Sequence, residues 1–275
     1  MPGDITDDQI EAYRRDGFTG PVPVLTAGEV ARYRAGLEAF ERNSGKPLDF
    51  PERSKSYLLF DWADEIVHHP RVLDAVEALI GPNILVYHLT MHIKEAETDA
   101  IVVWHQDDDY FRLAPAQQVT AWVALSEASE LAGCMRMVPG SFREGRIPHD
   151  ERPSPDHVIR AGKGIFDRYG DSDGTPVPVG AGEMSLHHTH TVHSSGPNRA
   201  GDRRIGVGIS YIPTHVRPTT EPRTSTLLVR GIDEHGHFHP ETRLGTGAGP
   251  LPDPAARAAH AAAYEHYMAA TGIPR

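Results

Sequence analysis

The alternation in ILVYHLTMHI, residues 84–93, restricts the fold more than any other stretch of the chain. Strand side chains point to opposite faces at a period of two, so Tyr87, Leu89, Met91 and Ile93 are expected on one face and His88, Thr90 and His92 on the other. An apolar face and an imidazole-bearing face belong to a sheet with a core on one side and a wet cavity or solvent on the other. Before residue 83 the pattern is helical. Thr6 with Gln9 and Thr26 with Glu29 form capping boxes that start two helices, and FTGPVPVL between them suits a short edge strand. Pro70, VLDAVEALI and Gly81 predict a third helix with proline in its first turn and glycine at its stop. Later strands are expected at VTAWVAL, CMRMVP, GEMSLHH, THTVH and RIGVGISYI, and DPAARAAHAAAYEHYMAAT predicts a C-terminal helix.

A chain of 275 residues suits one domain spanning 1–275. Its expected parts are a mainly helical segment over 1–82, a β core over 83–215, a lid-like stretch over 144–178 and a helix over 254–272. The formal charge of −11 opposes binding to a phosphate backbone, so nucleic acid is not an expected partner. Cys134 is the single cysteine, which rules out an internal disulfide and suits a reducing compartment. No segment resembles a signal peptide or reaches roughly 18 uninterrupted apolar residues, so a cytoplasmic protein without a membrane partner is expected.

The chemistry concentrates in VVWHQDDDYF, where His105 and Asp107 stand two apart after an extended apolar run. In a strand those positions share a face, so an imidazole and a carboxylate can grip one cation. A second histidine would complete a face of two imidazoles and one carboxylate, which leaves adjacent positions open on Fe(II). His193 is the candidate, because the arginines of SSGPNRAGDRR follow it and could hold an anionic co-substrate. Asp108 and Asp109 compete for the carboxylate role, and His187, His188 and His190 compete with His193. Gln106, between the two ligands, would point away from the metal.

These motifs resemble those of the phytanoyl-CoA dioxygenase family of 2-oxoglutarate oxygenases, which also includes ectoine hydroxylase. The likeness runs through ITDDQIEAYRRDGF, VLTAGEVARYR, WHQDDDYF, VTAWVALSEASELAGCMRMVPGSFREG and HTVHSSGPNRAGDRR, in that order. It implies a mainly β fold with flanking helices, a double-stranded β-helix or jelly-roll barrel. It implies that His105, Asp107 and His193 ligate Fe(II), that 2-oxoglutarate and O2 are co-substrates, and that Arg204 pairs with the far carboxylate of 2-oxoglutarate. Arg203 and Arg199 are the alternatives. Ser195, Trp122, Thr120 and His88 would be further co-substrate neighbours, and His92, Asp109 and Phe111 are substrate-facing candidates. The implied reaction is hydroxylation of an unactivated C–H in a small molecule, a biosynthetic intermediate or an acyl conjugate. Desaturation, epoxidation or cyclisation would use the same site, and a metal hydrolase or isomerase or a non-catalytic binding module are the competing classes. Either a monomer or a homodimer fits. Two positions depart from the family pattern: Ala132 precedes Gly133 and Cys134 where asparagine is usual, and Phe142 replaces a usual histidine. Asp107 argues against halogenation, because halogenating members carry a small residue there.

Overall fold

The computed structural model of the chain describes residues 5–152, 163–243 and 251–272. The first half of these contains α1 (Asp7–Asp16), β1 (Phe18–Pro23), α2 (Ala27–Ser44), α3 (Asp61–Val67), α4 (Pro70–Ile80), β2 (Ile84–Lys94), β3 (Val102–His105) and the single turn α5 (Asp108–Phe111). Next come β4 (Leu113–Ala114), β5 (Val119–Ala124), β6 (Met135–Met137), β7 (Asp150–Glu151), β8 (Lys163–Gly164), β9 (Thr175–Val177), β10 (Glu183–His188) and β11 (His193–Ser195). Last are β12 (Arg204–Pro213), β13 (Arg217–Pro218), β14 (Ser225–Arg230), β15 (His239–Pro240) and α6 (Pro254–Thr271).

Both expected capping boxes are present: Thr6 and Thr26 accept from the amides of Gln9 and Glu29, whose side chains reach back to the capping residues. Gly17 and Gly45 close the two helices in the left-handed conformation. Among the described residues a seven-stranded sheet runs β1-β10-β5-β12-β2-β14-β15, and a four-stranded sheet runs β3-β11-β6-β9. The sheet reaches beyond the expected 83–215 core, since β1 pairs with β10 and β14 pairs with β2. One face of the large sheet packs on α2, α3 and α4 through Tyr33, Leu37, Phe40, Ile66, Val72 and Val76. Its other face meets the small sheet, where Trp122 and Ala124 pack with Met135, Met137 and Val177. The architecture is therefore a double-stranded β-helix closed on one side by helices.

Two local expectations are corrected. Leu89, Met91 and Ile93 share the helix-side core, but Tyr87 packs with Leu85 and Phe238 on the opposite side. The register slips between Ser210 and Tyr211, so a bulge carries Tyr87 across. The lid expected over 144–178 lies partly outside the described residues. Its described parts form β7, β8 and β9, and Ile147 and Ile165 pack on Trp104 and Val192. None of the described residues between 144 and 178 lines the central cavity.

Candidate functional site

The cavity opens between the sheets, and His105, Asp107 and His193 stand in its wall. His105 ends β3 and His193 begins β11, and the two are direct cross-strand partners. Their ring centroids lie 4.1 Å apart. Asp107 is not reached by strand alternation as expected. The strand stops at His105, and Asp107 caps the turn α5 with φ −61 and ψ −34. The carboxylate nevertheless faces both imidazoles, with Oδ1 3.8 Å from His105 Nε2 and 3.7 Å from His193 Nε2. One ligand atom from each of the three lies within 4.8 Å of the others.

The tautomers follow from the backbone. His105 Nδ1 donates to Val103 O at 2.8 Å and His193 Nδ1 donates to Thr191 O at 2.9 Å, which leaves both Nε2 lone pairs turned to the carboxylate. Burial holds both imidazoles below their ordinary pKa, in the neutral form a metal requires. Burial alone would raise the Asp107 carboxyl. The hydrogen bond from His187 and the nearby imidazoles outweigh it and hold the group well below the usual carboxylate range. Asp107 Oδ2 accepts from Thr120 Oγ1 at 2.7 Å and from His187 Nε2 at 3.3 Å, so its second oxygen is occupied and Oδ1 is aimed.

The rival groups point elsewhere. Asp108 pairs with Arg146 at 2.5 Å and His190 at 3.3 Å. Asp109, a substrate-facing candidate, turns away from the cavity and lies 4.0 Å from His149 and 3.7 Å from Lys163, because α5 replaces the extended chain that would have aimed it inward. Gln106 is structural: its amide donates to Gly145 O and His190 O and accepts from Ile147 N, pinning the ligand loop. His188 and His190 meet edge to face outside the cavity lining.

Arg204 is 2% exposed and lines the cavity, while Arg203 turns outward to Glu41 and Glu95. Arg199 pairs with Asp99. The Arg204 guanidinium donates to Gly133 O at 2.6 Å and lies 5.2 Å over the Trp122 ring, yet its buried Nε has no partner. Burial lowers its pKa only to about 10, so it stays charged. Two glycines shape this end. Gly133, at φ +68, sits so close to Gly196 O that a Cβ would be 2.4 Å away, so a side chain would not fit there, and nothing in the structure explains the Ala132 departure beside it. A Cβ on Gly206 would be 1.9 Å from Trp122 Cζ2, so the indole lies in the space this glycine leaves. Phe142 packs against Gly17 and His188, away from the ligand set.

Sequence reasoning missed Lys94, which ends the apolar run of β2. It is 1% exposed and donates to Ser195 Oγ at 2.8 Å and Ser195 O at 3.2 Å. Burial and the neighbouring Arg204 push its pKa down to about 6. A charge at the end of an apolar strand was the available signal. The two expected histidines of β2 separate. Burial, then the Arg204 charge, pushes His92 down to about 3, while His88 stacks on Tyr267 at 3.8 Å. The substrate-facing candidate Phe111 lines the cavity, and so do Tyr264, Tyr267 and Met268 of α6, whose contribution was invisible before the fold was known.

Fold and site together define a double-stranded β-helix protein with two imidazoles and one carboxylate on one face of a cavity. The pattern described as "Phytanoyl-CoA dioxygenase (PhyH)" matches residues 13–206. The chain belongs to that family of non-haem Fe(II)- and 2-oxoglutarate-dependent oxygenases. A relative from Stutzerimonas stutzeri, named a probable alpha-ketoglutarate-dependent hypophosphite dioxygenase, is 27% identical over 181 residues, which is 65% of this chain and 63% of the relative. The match thus spans less than two thirds of that relative. The solved non-heme monooxygenase ThoJ in its apo form is 33% identical with a TM-score of 0.84, covering 96% of this chain and 98% of its own. Its nickel complex is 32% identical with a TM-score of 0.76, covering 94% and 96%. No helix among the described residues is long and apolar enough to cross a membrane.

Proposed function

We propose that the protein is a dioxygenase that couples the oxidative decarboxylation of 2-oxoglutarate to hydroxylation of an unactivated C–H in a small molecule. The observation that carries this reading is one cavity in which a His–Asp–His set and a buried guanidinium with an unpartnered Nε share the same lining. His105, Asp107 and His193 would hold Fe(II). Neutral imidazoles and an ionised carboxylate are a donor set suited to ferrous iron. Bound there with 2-oxoglutarate and O2, the iron supplies the oxidising power, and succinate and carbon dioxide are the co-products.

The chain's own residues bind and orient. Arg204 offers a rigid planar fork to the far carboxylate of 2-oxoglutarate and stays charged at working pH. Trp122 backs that fork, and Lys94 holds Ser195 beside it. His92, which feels the Arg204 charge, belongs with the co-substrate. Thr120 and His187 keep Asp107 Oδ1 turned to the metal. The apolar rings on the α6 side exclude water and leave room for a substrate. The alpha-ketoglutarate dependence in the name of the Stutzerimonas relative and the nickel bound by ThoJ support the reading. A hydrolase using a similar ligand set would have no use for a buried arginine lining the same cavity.

The test is O2 uptake and succinate release by the purified chain with Fe(II) and 2-oxoglutarate, with and without candidate small molecules. Iron-dependent succinate is the expected result. Succinate at the level of the iron-free control, or substrate turnover without O2, would overturn the proposal.

A further inference from the structure

The inward residues of β12 and β2 face one another in rows. Arg204 is opposite Lys94, Gly206 opposite His92, Gly208 opposite Thr90 and Ser210 opposite His88. Arg204 and Ser210 are therefore about 20 Å apart along one strand, at roughly 3.3 Å per residue. Thr120, which holds Asp107, is the other neighbour of Ser210. His88 thus lies level with the ligand set and far from the arginine.

At that level the wall changes character. The His88 ring stacks on Tyr267 at 3.8 Å with 16° between planes, and Phe111 lies 6.0 Å from His88. Tyr264 and Met268 extend the same surface from α6. His88 Nε2 faces Ser54 Oγ at 3.4 Å, but Nδ1 is buried without a partner, a state that a ligand with a hydrogen-bonding atom would relieve. Three charged side chains line the cavity. Asp107 belongs to the ligand set, Arg204 to the far end, and Arg53 lies 3.9 Å from Asp49 with Nε donating to Leu48 O.

We propose that His88, Tyr267 and Phe111 form the substrate-recognition wall, and that it receives an uncharged planar group carrying a hydrogen-bonding atom. Stacking orients the group, His88 fixes its rotation, and the adjacent C–H is presented to the metal side of the cavity. This inference rests on the iron and 2-oxoglutarate reading and names the class of substrate for it.

The full chain, loaded with paramagnetic Mn(II) and 2-oxoglutarate without oxygen, is mixed with phenol, toluene or benzoate as probes. Relaxation of the probe ring protons reports binding beside the metal. Phenol is expected to relax most strongly, toluene less and benzoate not at all. Tyr267→Ala should weaken phenol about tenfold. His88→Phe, which keeps a ring against Tyr267, should weaken phenol about tenfold while leaving toluene unchanged. Both variants should bind 2-oxoglutarate within about twofold of the parent, far below the effect of losing a charge-assisted contact. Benzoate relaxed as strongly as phenol, no relaxation of any ring, or unchanged phenol affinity in both variants overturns the proposal. So does a His88→Phe variant that loses 2-oxoglutarate instead. Failure of the parent chain to bind Mn(II) with 2-oxoglutarate is seen before any probe is added, and it overturns the underlying reading.

Discussion

The His105, Asp107 and His193 set and the His88 wall stand at one level of the same cavity, but their polar atoms are satisfied differently. Within the ligand set both Nδ1 atoms donate to carbonyls two residues back, and Asp107 Oδ2 takes two donors. Around His88 the ring nitrogen Nδ1 is open, and the surrounding surface is aromatic and contributed by α5 and α6, outside the large sheet. The difference teaches where such a fold fixes its chemistry and where it can change its substrate. The two imidazoles, held by adjacent strands and short-range backbone bonds, are set in advance, whereas the part of the wall borrowed from α6 can be altered without disturbing them.

If that division holds, changes on the two sides should separate cleanly. The largest effect is expected for His105→Ala, which removes a ligand and should abolish iron-dependent succinate formation; activity near the parent level would break the comparison at its base. Arg204→Ala comes next. It removes a charge-assisted contact of about 1.5–3 kcal/mol, so the 2-oxoglutarate affinity should fall roughly 10- to 150-fold with iron affinity little changed. An equal effect from Arg203→Ala would contradict the inward assignment, since that side chain is held by Glu41 and Glu95. Thr120→Val sharpens the picture further. Loss of the donor to Asp107 Oδ2 should weaken metal binding about tenfold in a Mn(II) titration, the scale usual for groups that orient a ligand.

The smallest effect concerns pH and the metal-free protein. Burial, first of all, holds His88, His92, His105 and His193 below the ordinary imidazole value, His92 down to about 3. The unfolded chain takes up protons as pH falls through about 6.5 while the fold keeps these rings neutral. The unfolded state then binds more protons, so stability is present above that pH and declines as pH drops toward about 5. A lower Tm at pH 5 than at pH 7 is expected, and an equal Tm would mean that these rings are solvated.

Much of this was legible in the residues because the signals are local. Capping boxes close within three positions, the C-terminal helix has its proline and glycine at the right ends, and Leu89, Met91 and Ile93 show their face through simple alternation. The convergence of His105, Asp107 and His193 was legible through spacing and family likeness, although the strand argument for Asp107 reached the carboxylate that faces both imidazoles by the wrong backbone. A turn beginning at Asp108 is hidden in a string of acidic residues that tolerates either conformation. The bulge that moves Tyr87 depends on a partner strand more than a hundred residues away, and so does the bond from Lys94 to Ser195, 101 positions apart. Tyr267 shows in sequence only as one residue of an amphipathic helix, and its stack on His88 exists only after α6 docks.

In the proposed centre, two distant imidazoles and one carboxylate take a single ferrous ion with 2-oxoglutarate beside it. Its most direct test is anaerobic addition of Fe(II) and 2-oxoglutarate while the visible charge-transfer absorption of the chelate is recorded. The parent chain should develop that absorption at one iron per chain, and His193→Ala should not. Full development in His193→Ala, with unchanged iron affinity, would contradict the account.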